Sequence, residues 1–176
     1  EKVKPGSNGL IYLPYLIGER TPHLDSDARG VFFGLSTVHR KSDMIRSVME
    51  GVAFSLKDCL SIIADLGVEI NEVRASGGGG KSRLWKQMQA DVFGIPITTT
   101  NSSEGPALGV ALLAGVGTGV YKDVAEACDV AIKPVEVQQP NTGNTEVYSK
   151  FYGLYCQLYK SLKQDFKDLA KIMKSI

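Results

Sequence analysis

Hydrophobic and polar positions follow two different periods along the first half of the chain. The apolar runs Gly9–Leu16 and Gly30–Leu35 are short and predict two strands. After Ser42, a candidate N-cap, apolar residues recur three and four positions apart and predict a long helix that ends near Gly67. The expected buried face of this helix consists of Met44, Ile45, Val48, Met49, Val52, Leu56, Leu60 and Ile63. The polar side chains expected elsewhere on its circumference are Arg46, Ser47, Lys57 and Asp58.

The second half continues this alternation of strand and helix signals, which predicts an α/β domain. A short strand ends near Ser76, and Ser82 then begins a helix that stops before Gly94 and Pro96. The buried face expected for this helix comprises Leu84, Trp85, Met88, Val92 and Phe93. Further on we expect a strand at 96–100, a small-residue helix at 107–119, a short helix at 123–132 and an extended connection at 133–140. Residues Thr145–Ile176 predict a final helix with a buried aromatic stripe. The stripe consists of Tyr148, Phe151, Tyr152, Tyr155, Leu158, Tyr159, Leu162, Phe166 and Leu169.

Composition narrows the class of protein. A length of 176 residues suits one ordinary domain, so we expect 1–176 to form a single domain. A net charge of +1 with 22% charged residues gives no sign of a nucleic-acid or membrane partner. The cysteines Cys59, Cys128 and Cys156 lie far apart without CxxC spacing, which argues against disulfides and zinc and favours a reducing, cytoplasmic compartment. The chain begins at Glu1 without Met or a targeting segment, which indicates a piece of a longer protein.

The stretch RASGGGGKSRLW, Arg74–Trp85, places four glycines before Lys81 and Ser82. It is not a P-loop, because Ala75 stands where the first glycine is needed, and it is not a dinucleotide fingerprint, because Ser82 takes the third glycine position. Glycines without Cβ let a planar or anionic ligand lie against the main chain, and a helix start offers N–H groups to negative charge. The alternative is a tight turn with a basic rim.

The loop GERTPHLDSDAR, Gly18–Arg29, is the other segment with concentrated chemistry. Glu19 with Asp25 or Asp27 has the residue types of a metal or acid/base set, but the spacing matches no ligand template and favours a solvated turn. We therefore expect no metal ligands in the chain, and His23 and His39 receive no role. Two other acidic residues are expected to have structural roles. Asp91 is interpreted as a buried residue that accepts hydrogen bonds, and Glu104 as a charge that suits the positive end of a helix.

Three stretches resemble the FGGY family of carbohydrate kinases. Residues Gly30–Glu50 are similar to a signature of that family, residues Ser76–Ile97 to its adenosine loop and following helix, and residues Glu104–Gly115 to its small-residue helix on the nucleotide side. Within the family, residues Gly18–Ser36 look most like xylulose kinases. The positions that match the signature are Gly30, Phe32, Gly34, Leu35, Asp43, Met44, Ser47, Val48, Met49 and Glu50.

This resemblance implies a ribonuclease-H-like domain of the actin, hexokinase and heat-shock ATPase superfamily, with a mixed sheet flanked by helices. The chain would be most of the C-terminal, nucleotide-side domain of a two-domain sugar kinase. The implied nucleotide-binding residues are Gly77, Gly78, Gly79, Gly80 and Ser82. Gly78 and Gly79 would contact adenosine most directly through their backbone, and Ser82 would bond near the ribose or α-phosphate. Relatives often have alanine at the position of Gly80, which loosens the turn slightly here.

The resemblance also implies the reaction and its partners. The whole enzyme would transfer the γ-phosphate of ATP to D-xylulose, with gluconate, ribulose or glycerol as alternative acceptors, or the chain would be a non-catalytic actin-like module. The catalytic base and most of the Mg²⁺ site would lie outside this chain, so the chain alone is expected to bind ATP or ADP weakly at most and to be inactive. Glu19 and Arg20 would face the cleft or the missing N-terminal domain on closure. A homodimer is compatible with the resemblance.

Overall fold

The computed structural model describes residues 3–102 and 105–175, so Glu104 and Ile176 lie outside the described residues. Contacts divide the chain into two compact units. The first unit comprises residues up to Glu69, Asp91–Phe93 and residues from Asn141 onward, and the second comprises Ile70–Ala90 and Gly94–Pro140. The expectation of a single domain over 1–176 stays a prediction. None of the described helices has both the length and the apolar content needed to cross a bilayer.

The helices and strands alternate as the sequence predicts. In chain order they are β1 (Ile11–Leu13), β2 (Val31–Phe33), α1 (Lys41–Asp65), β3 (Val73–Ala75), α2 (Arg83–Phe93), β4 (Ile97–Thr100), α3 (Gly105–Gly117), α4 (Val124–Ala131), β5 (Pro134–Gln138) and α5 (Thr142–Lys174). Short 3-10 turns precede β1 at Ser7–Gly9 and α2 at Gly79–Lys81. The segment 133–140, expected to be an extended connection, contributes β5.

In the first unit, α1 and α5 pack against β1, which pairs antiparallel with β2. All of β1 is buried, as expected for a short continuous apolar run. Helix α1 approaches this strand at Gly51, where a Cβ would lie 2.2 Å from the carbonyl oxygen of Tyr12. Because real Cβ atoms do not come so near a backbone oxygen, only glycine allows this approach.

The prediction for the buried face of α1 is wrong. The buried residues are Asp43, Ser47, Glu50, Gly51, Ala53, Phe54 and Asp58. Several residues of the predicted face are exposed, including Ile45 at 54%. The physical reason is that the buried polar groups have partners; for example, Glu50 accepts hydrogen bonds from the Gly6 N–H (3.0 Å) and the Tyr148 hydroxyl (2.9 Å).

Both ends of α1 can be compared with the sequence signals. The N-cap is Arg40, whose N–H donates to Asp43 Oδ2 at 2.7 Å, so the prediction of Ser42 as the cap is two residues late. Gly67 has a φ of +84° just beyond the helix, which confirms it as the stop.

Helix α5 confirms most of the aromatic stripe and begins earlier than expected. Its N-cap is Asn141, whose side chain accepts from the Asn144 N–H at 3.0 Å. Asp91 is buried and accepts from the Asn141 N–H at 2.8 Å, as the hydrogen-bonding interpretation requires. The stripe residues that are buried are Tyr148, Tyr155, Leu158, Tyr159 and Phe166, whereas Leu169 is exposed.

In the second unit, β3, β4 and β5 form a mixed sheet. β3 pairs parallel with β4, and β4 pairs antiparallel with β5. Helix α2 begins after Ser82, close to the predicted start, and Ser82 is its N-cap because its side chain accepts from the Trp85 N–H at 3.3 Å. The buried face of α2 differs from the prediction. Met88 and Val92 are buried, Trp85 and Phe93 are half-buried, and Leu84 is exposed. Lys86 is buried as well, because its Nζ pairs with Glu136.

Candidate functional site

The four glycines form an open turn between β3 and α2. Gly77 has a φ of +70°, in the left-handed region that favours glycine. A Cβ built on Gly77 or Gly78 would meet none of the described atoms within 4 Å, whereas one on Gly80 would lie 3.2 Å from the carbonyl oxygen of Ala75. Gly80 therefore serves local packing. The space above Gly77 and Gly78 leaves bare backbone open to a ligand.

Two connected depressions adjoin this turn at the carboxyl ends of the parallel strands β3 and β4. The smaller cavity, about 80 Å³, is lined by Ala75, Ser76, Gly77, Gly80, Lys81, Thr99, Thr100 and Ser102. The larger cavity, about 240 Å³, shares several of these residues and extends along α3 and α4 to Leu108, Leu112, Cys128 and Ile132. A crevice outside the carboxyl ends of strands is where open α/β sheets commonly bind ligands. We call this crevice and the glycine turn the glycine-turn groove.

The start of α2 supplies polar groups beside the groove. Ser82 accepts the helix-capping bond through its hydroxyl oxygen, so its O–H can still donate a hydrogen bond. The exposed Lys81 side chain adds positive charge at the same place. The indole nitrogen of Trp85 lies beside Gly79, where a built Cβ would be 3.2 Å away. The arrangement combines an apolar slot, bare backbone and a basic rim, which suits a flat base attached to an anion.

The structure brings Gly77, Gly78, Gly79, Gly80 and Ser82 together in one turn of the second unit. Their role as nucleotide contacts stays a prediction. Sequence reasoning missed the groove residues Leu108, Leu112, Cys128 and Ile132. No local signal in the sequence points to them, because they reach the groove only through the packing of α3 and α4.

Glu19 and Arg20 lie in the first unit, in the loop between β1 and β2. The backbones of Glu19 and Asp25 pair twice, at 2.8 and 2.7 Å, and close the segment into a turn. A depression of about 460 Å³ is lined by Ile17, Gly18, Glu19, Arg20, Leu24, Asp25 and Ser26. We call residues 17–26 the β1–β2 turn. Its expected cleft contacts, Glu19 and Arg20, stay predictions.

The interpretation of the acidic residues in this turn as solvated is wrong for Asp25. Only 8% of Asp25 is exposed, and its Oδ2 accepts from the Tyr159 hydroxyl at 2.9 Å. Burial alone would raise the pKa of Asp25, but hydrogen bonds from Tyr159 and from backbone N–H groups hold that pKa below its usual value. Across 3–102 and 105–175, no three His, Cys, Asp or Glu side chains gather closely enough to hold a metal ion.

Comparison with known proteins places this geometry in a family. Residues 1–118 match the FGGY family of carbohydrate kinases, C-terminal domain. A xylulose kinase of Staphylococcus epidermidis is 44% identical over 96% of this chain and 34% of its own length. A crystal structure of a ligand-bound xylulose kinase from Lactobacillus acidophilus matches 95% of this chain and 34% of its own, at 34% identity with a TM-score of 0.88.

A gluconate kinase structure from Lactobacillus acidophilus matches with the same TM-score of 0.88 and the same 34% identity, over 95% of this chain and 34% of its own. The chain thus spans about a third of the length of the relatives it matches. These likenesses confirm the ribonuclease-H-like fold of the actin, hexokinase and heat-shock ATPase superfamily, with its mixed sheet flanked by helices. The chain belongs to the FGGY family of carbohydrate kinases and represents their C-terminal domain.

Proposed function

We propose that this chain is the nucleotide-side domain of an ATP-dependent sugar kinase and that the glycine-turn groove receives the adenosine of ATP. The observation that carries the proposal is the open space above Gly77 and Gly78 beside an apolar slot. Backbone N–H and C=O groups can approach a base closely there because no Cβ intervenes. Lys81 lines the cavity beside this turn, and Ser82 begins α2 next to it. We propose that these two residues meet the ribose and phosphates.

The proposed reaction transfers the γ-phosphoryl group of ATP to a hydroxyl of D-xylulose, giving xylulose 5-phosphate. The bond between the γ-phosphorus and the oxygen of the departing ADP breaks, a bond to the sugar oxygen forms, and the hydroxyl proton passes to a base outside this chain. Support for xylulose comes from the names of the relatives. Gluconate is the alternative acceptor, because the gluconate kinase structure matches equally well.

The residues of this chain would bind and orient ATP rather than carry out the proton transfer. The described residues offer no clustered ligands for Mg²⁺, so we assign the metal to the rest of the kinase. The isolated chain would then bind nucleotide without phosphorylating sugar. Its compartment is proposed to be the cytoplasm, where the free cysteines stay reduced.

Exposed apolar side chains in the first unit support a partner within the same protein. Ile45, Val52 and Leu56 on α1 and Phe32 and Phe33 on β2 are all exposed in this chain. Apolar surface of this kind is commonly covered by another part of a protein. Since the relatives are about three times as long, we propose that other parts of the kinase, including its N-terminal domain, cover this face.

A side chain added at Gly78 tests the nucleotide site directly. Gly78 has helical dihedral angles (φ −62°, ψ −38°) and open space around it, so Gly78→Leu should fold normally while filling the proposed adenosine position. We expect ADP affinity, measured by calorimetry and by Trp85 fluorescence, to fall about tenfold or more. Gly153→Leu is the matched control, because Gly153 is an exposed helical glycine with open space in the first unit.

Two outcomes would contradict the proposal. The first is wild-type protein that shows neither saturable ADP binding nor a Trp85 response. The second is an unchanged ADP affinity in Gly78→Leu. A non-catalytic nucleotide-binding module would bind ADP in the same way, so sugar phosphorylation by the full-length protein distinguishes that module from the kinase.

A further inference from the structure

Helix α5 holds the β1–β2 turn through a set of aromatic contacts. The imidazole of His23 stacks on the ring of Tyr159 with centroids 3.4 Å apart and planes 6° from parallel. Tyr15 stands edge-on to both rings, and its hydroxyl lies 2.8 Å from that of Tyr155. Tyr15 and Tyr155 are fully buried, so the part of α5 that faces the turn is a fixed platform.

The same platform fixes the base of the turn through Asp25. The Tyr159 hydroxyl donates to Asp25 Oδ2 at 2.9 Å, while the Asp27 N–H donates to Asp25 Oδ1 at 3.0 Å. The backbone of Asp25 in turn pairs on both sides with Glu19. A chain of direct contacts therefore runs from Tyr159 to the residue that precedes Arg20.

Leu24, at the tip of the turn, is exposed to solvent and has an unfavourable backbone conformation. Leu24 has a φ of +46°, which is costly for a residue with a Cβ, and it is 83% exposed. Ile17 is 96% exposed, and Arg20 is exposed as well. Two large apolar side chains and a cation held outward on a braced turn form a preformed contact surface.

We propose that His23 and Tyr159 are positioning residues, which hold Glu19 and Arg20 in one orientation so that the turn meets the rest of the kinase already ordered during phosphoryl transfer. This inference rests on the proposed sugar kinase activity. Ordering the turn in advance removes an entropy cost from the step in which the turn makes its contacts. Loss of these contacts should therefore slow turnover while leaving ATP binding at the glycine turn unchanged.

The test compares His23→Ala, His23→Phe and Tyr159→Phe in the full-length kinase. His23→Ala removes both the stack and the contact of His23 Nε2 with the Tyr15 hydroxyl, which lie 3.4 Å apart. His23→Phe loses that contact but keeps a stacked ring, and Tyr159→Phe removes the bond to Asp25. We expect His23→Ala to lower kcat about tenfold with KM for ATP within about twofold, and His23→Phe to restore most of the turnover. Tyr159→Phe should fall between them. His39→Ala is the control, since His39 contacts Ser36 and Asn8 rather than the turn.

A second readout follows the turn itself. Trypsin can cleave after Arg20, and cleavage requires the turn to open, so the cleavage rate reports its order. We expect about tenfold faster cleavage at Arg20 in His23→Ala and near wild-type cleavage in His23→Phe and His39→Ala.

Each remaining outcome bears on the inference. Unchanged kcat and unchanged cleavage in His23→Ala would overturn it. A His23→Phe enzyme as impaired as His23→Ala would also overturn it, because a stacked ring would then not be enough to hold the turn. A loss of thermal stability with normal kcat per folded molecule would also overturn it. If the wild-type protein phosphorylates no sugar, the proposed function fails, and the cleavage rates alone decide whether His23 and Tyr159 hold the turn.

Discussion

The buried network around Glu50 in the first unit and the glycine turn in the second unit differ in how their polar groups are used. Glu50 is 2% exposed and accepts from four groups, the Gly6 N–H, the Ser7 hydroxyl, Arg46 Nε and the Tyr148 hydroxyl. At the glycine turn, by contrast, Gly77 and Gly78 face open space. The Glu50 network pairs its carboxylate with donors from the protein. The glycine turn instead leaves backbone groups accessible.

In this domain, rigidity comes from buried hydrogen-bond networks and ligand access comes from exposed glycine backbone. A buried carboxylate with four donors fixes the elements that carry those donors, because leaving any donor unsatisfied is costly. A run of glycines gives up such side-chain contacts and keeps its groups available to something else. We therefore expect substitutions in the network to change stability and substitutions in the turn to change binding.

The largest effect is expected from Glu50→Ala, which breaks the network. The substitution leaves the Arg46 guanidinium and the Tyr148 hydroxyl without their shared acceptor, so the free energy of unfolding should fall by about 3 kcal/mol. Urea denaturation measures this change. The exposed Glu69 provides the control, and Glu69→Ala should stay within about 0.5 kcal/mol of wild type. A loss below about 1 kcal/mol for Glu50→Ala would show that the network is not a major source of stability.

A smaller effect is expected at Gly51, where α1 meets β1. Gly51→Ala places a Cβ against the Tyr12 carbonyl and should lower the free energy of unfolding by about 1–3 kcal/mol through overpacking. Gly153→Ala in α5 meets no neighbour and should instead stabilise the helix by about 1 kcal/mol. Thermal unfolding of the two variants checks the opposite signs. Equal effects of the same sign would mean that the approach to Tyr12 is not constrained.

The smallest effect concerns pH and the His23 stack. Burial lowers the pKa of His23 below 6.5, opposed by Asp58 and Asp25 and assisted by Lys163 and Lys160. The unfolded state therefore binds the proton more readily, and the stability contributed by neutral His23 is lost as the pH falls below 6.5.

The measurement is urea denaturation of wild type and His23→Phe at pH 7 and pH 5. Because phenylalanine keeps the ring without the titration, wild type should lose stability relative to His23→Phe on acidification. A constant difference between the two proteins at both pH values would contradict the lowered pKa.

Much of the fold could be predicted from short-range signals. The order of strands and helices, the Ser82 cap and the glycine stop after α1 follow from local backbone chemistry. The glycine turn was equally visible, because four consecutive glycines are unusual for a simple turn. The apolar part of its groove was not, since Leu108 and Ile132 come near the turn only when α3 and α4 pack together at the sheet.

The buried face of α1 shows where local reasoning ends. Its apolar spacing predicted that Ile45 and Val52 are buried, but both are exposed. The polar face with Glu50 is buried instead, because Gly6 and Tyr148, which are distant in sequence, donate hydrogen bonds to Glu50. The sequence by itself determined the family, the succession of elements and the turn with bare backbone, because neighbouring residues encode dihedral angles and capping. Only the tertiary structure decided which helix face is buried and that His23 stacks on Tyr159, because both depend on partners more than 40 residues away in the chain.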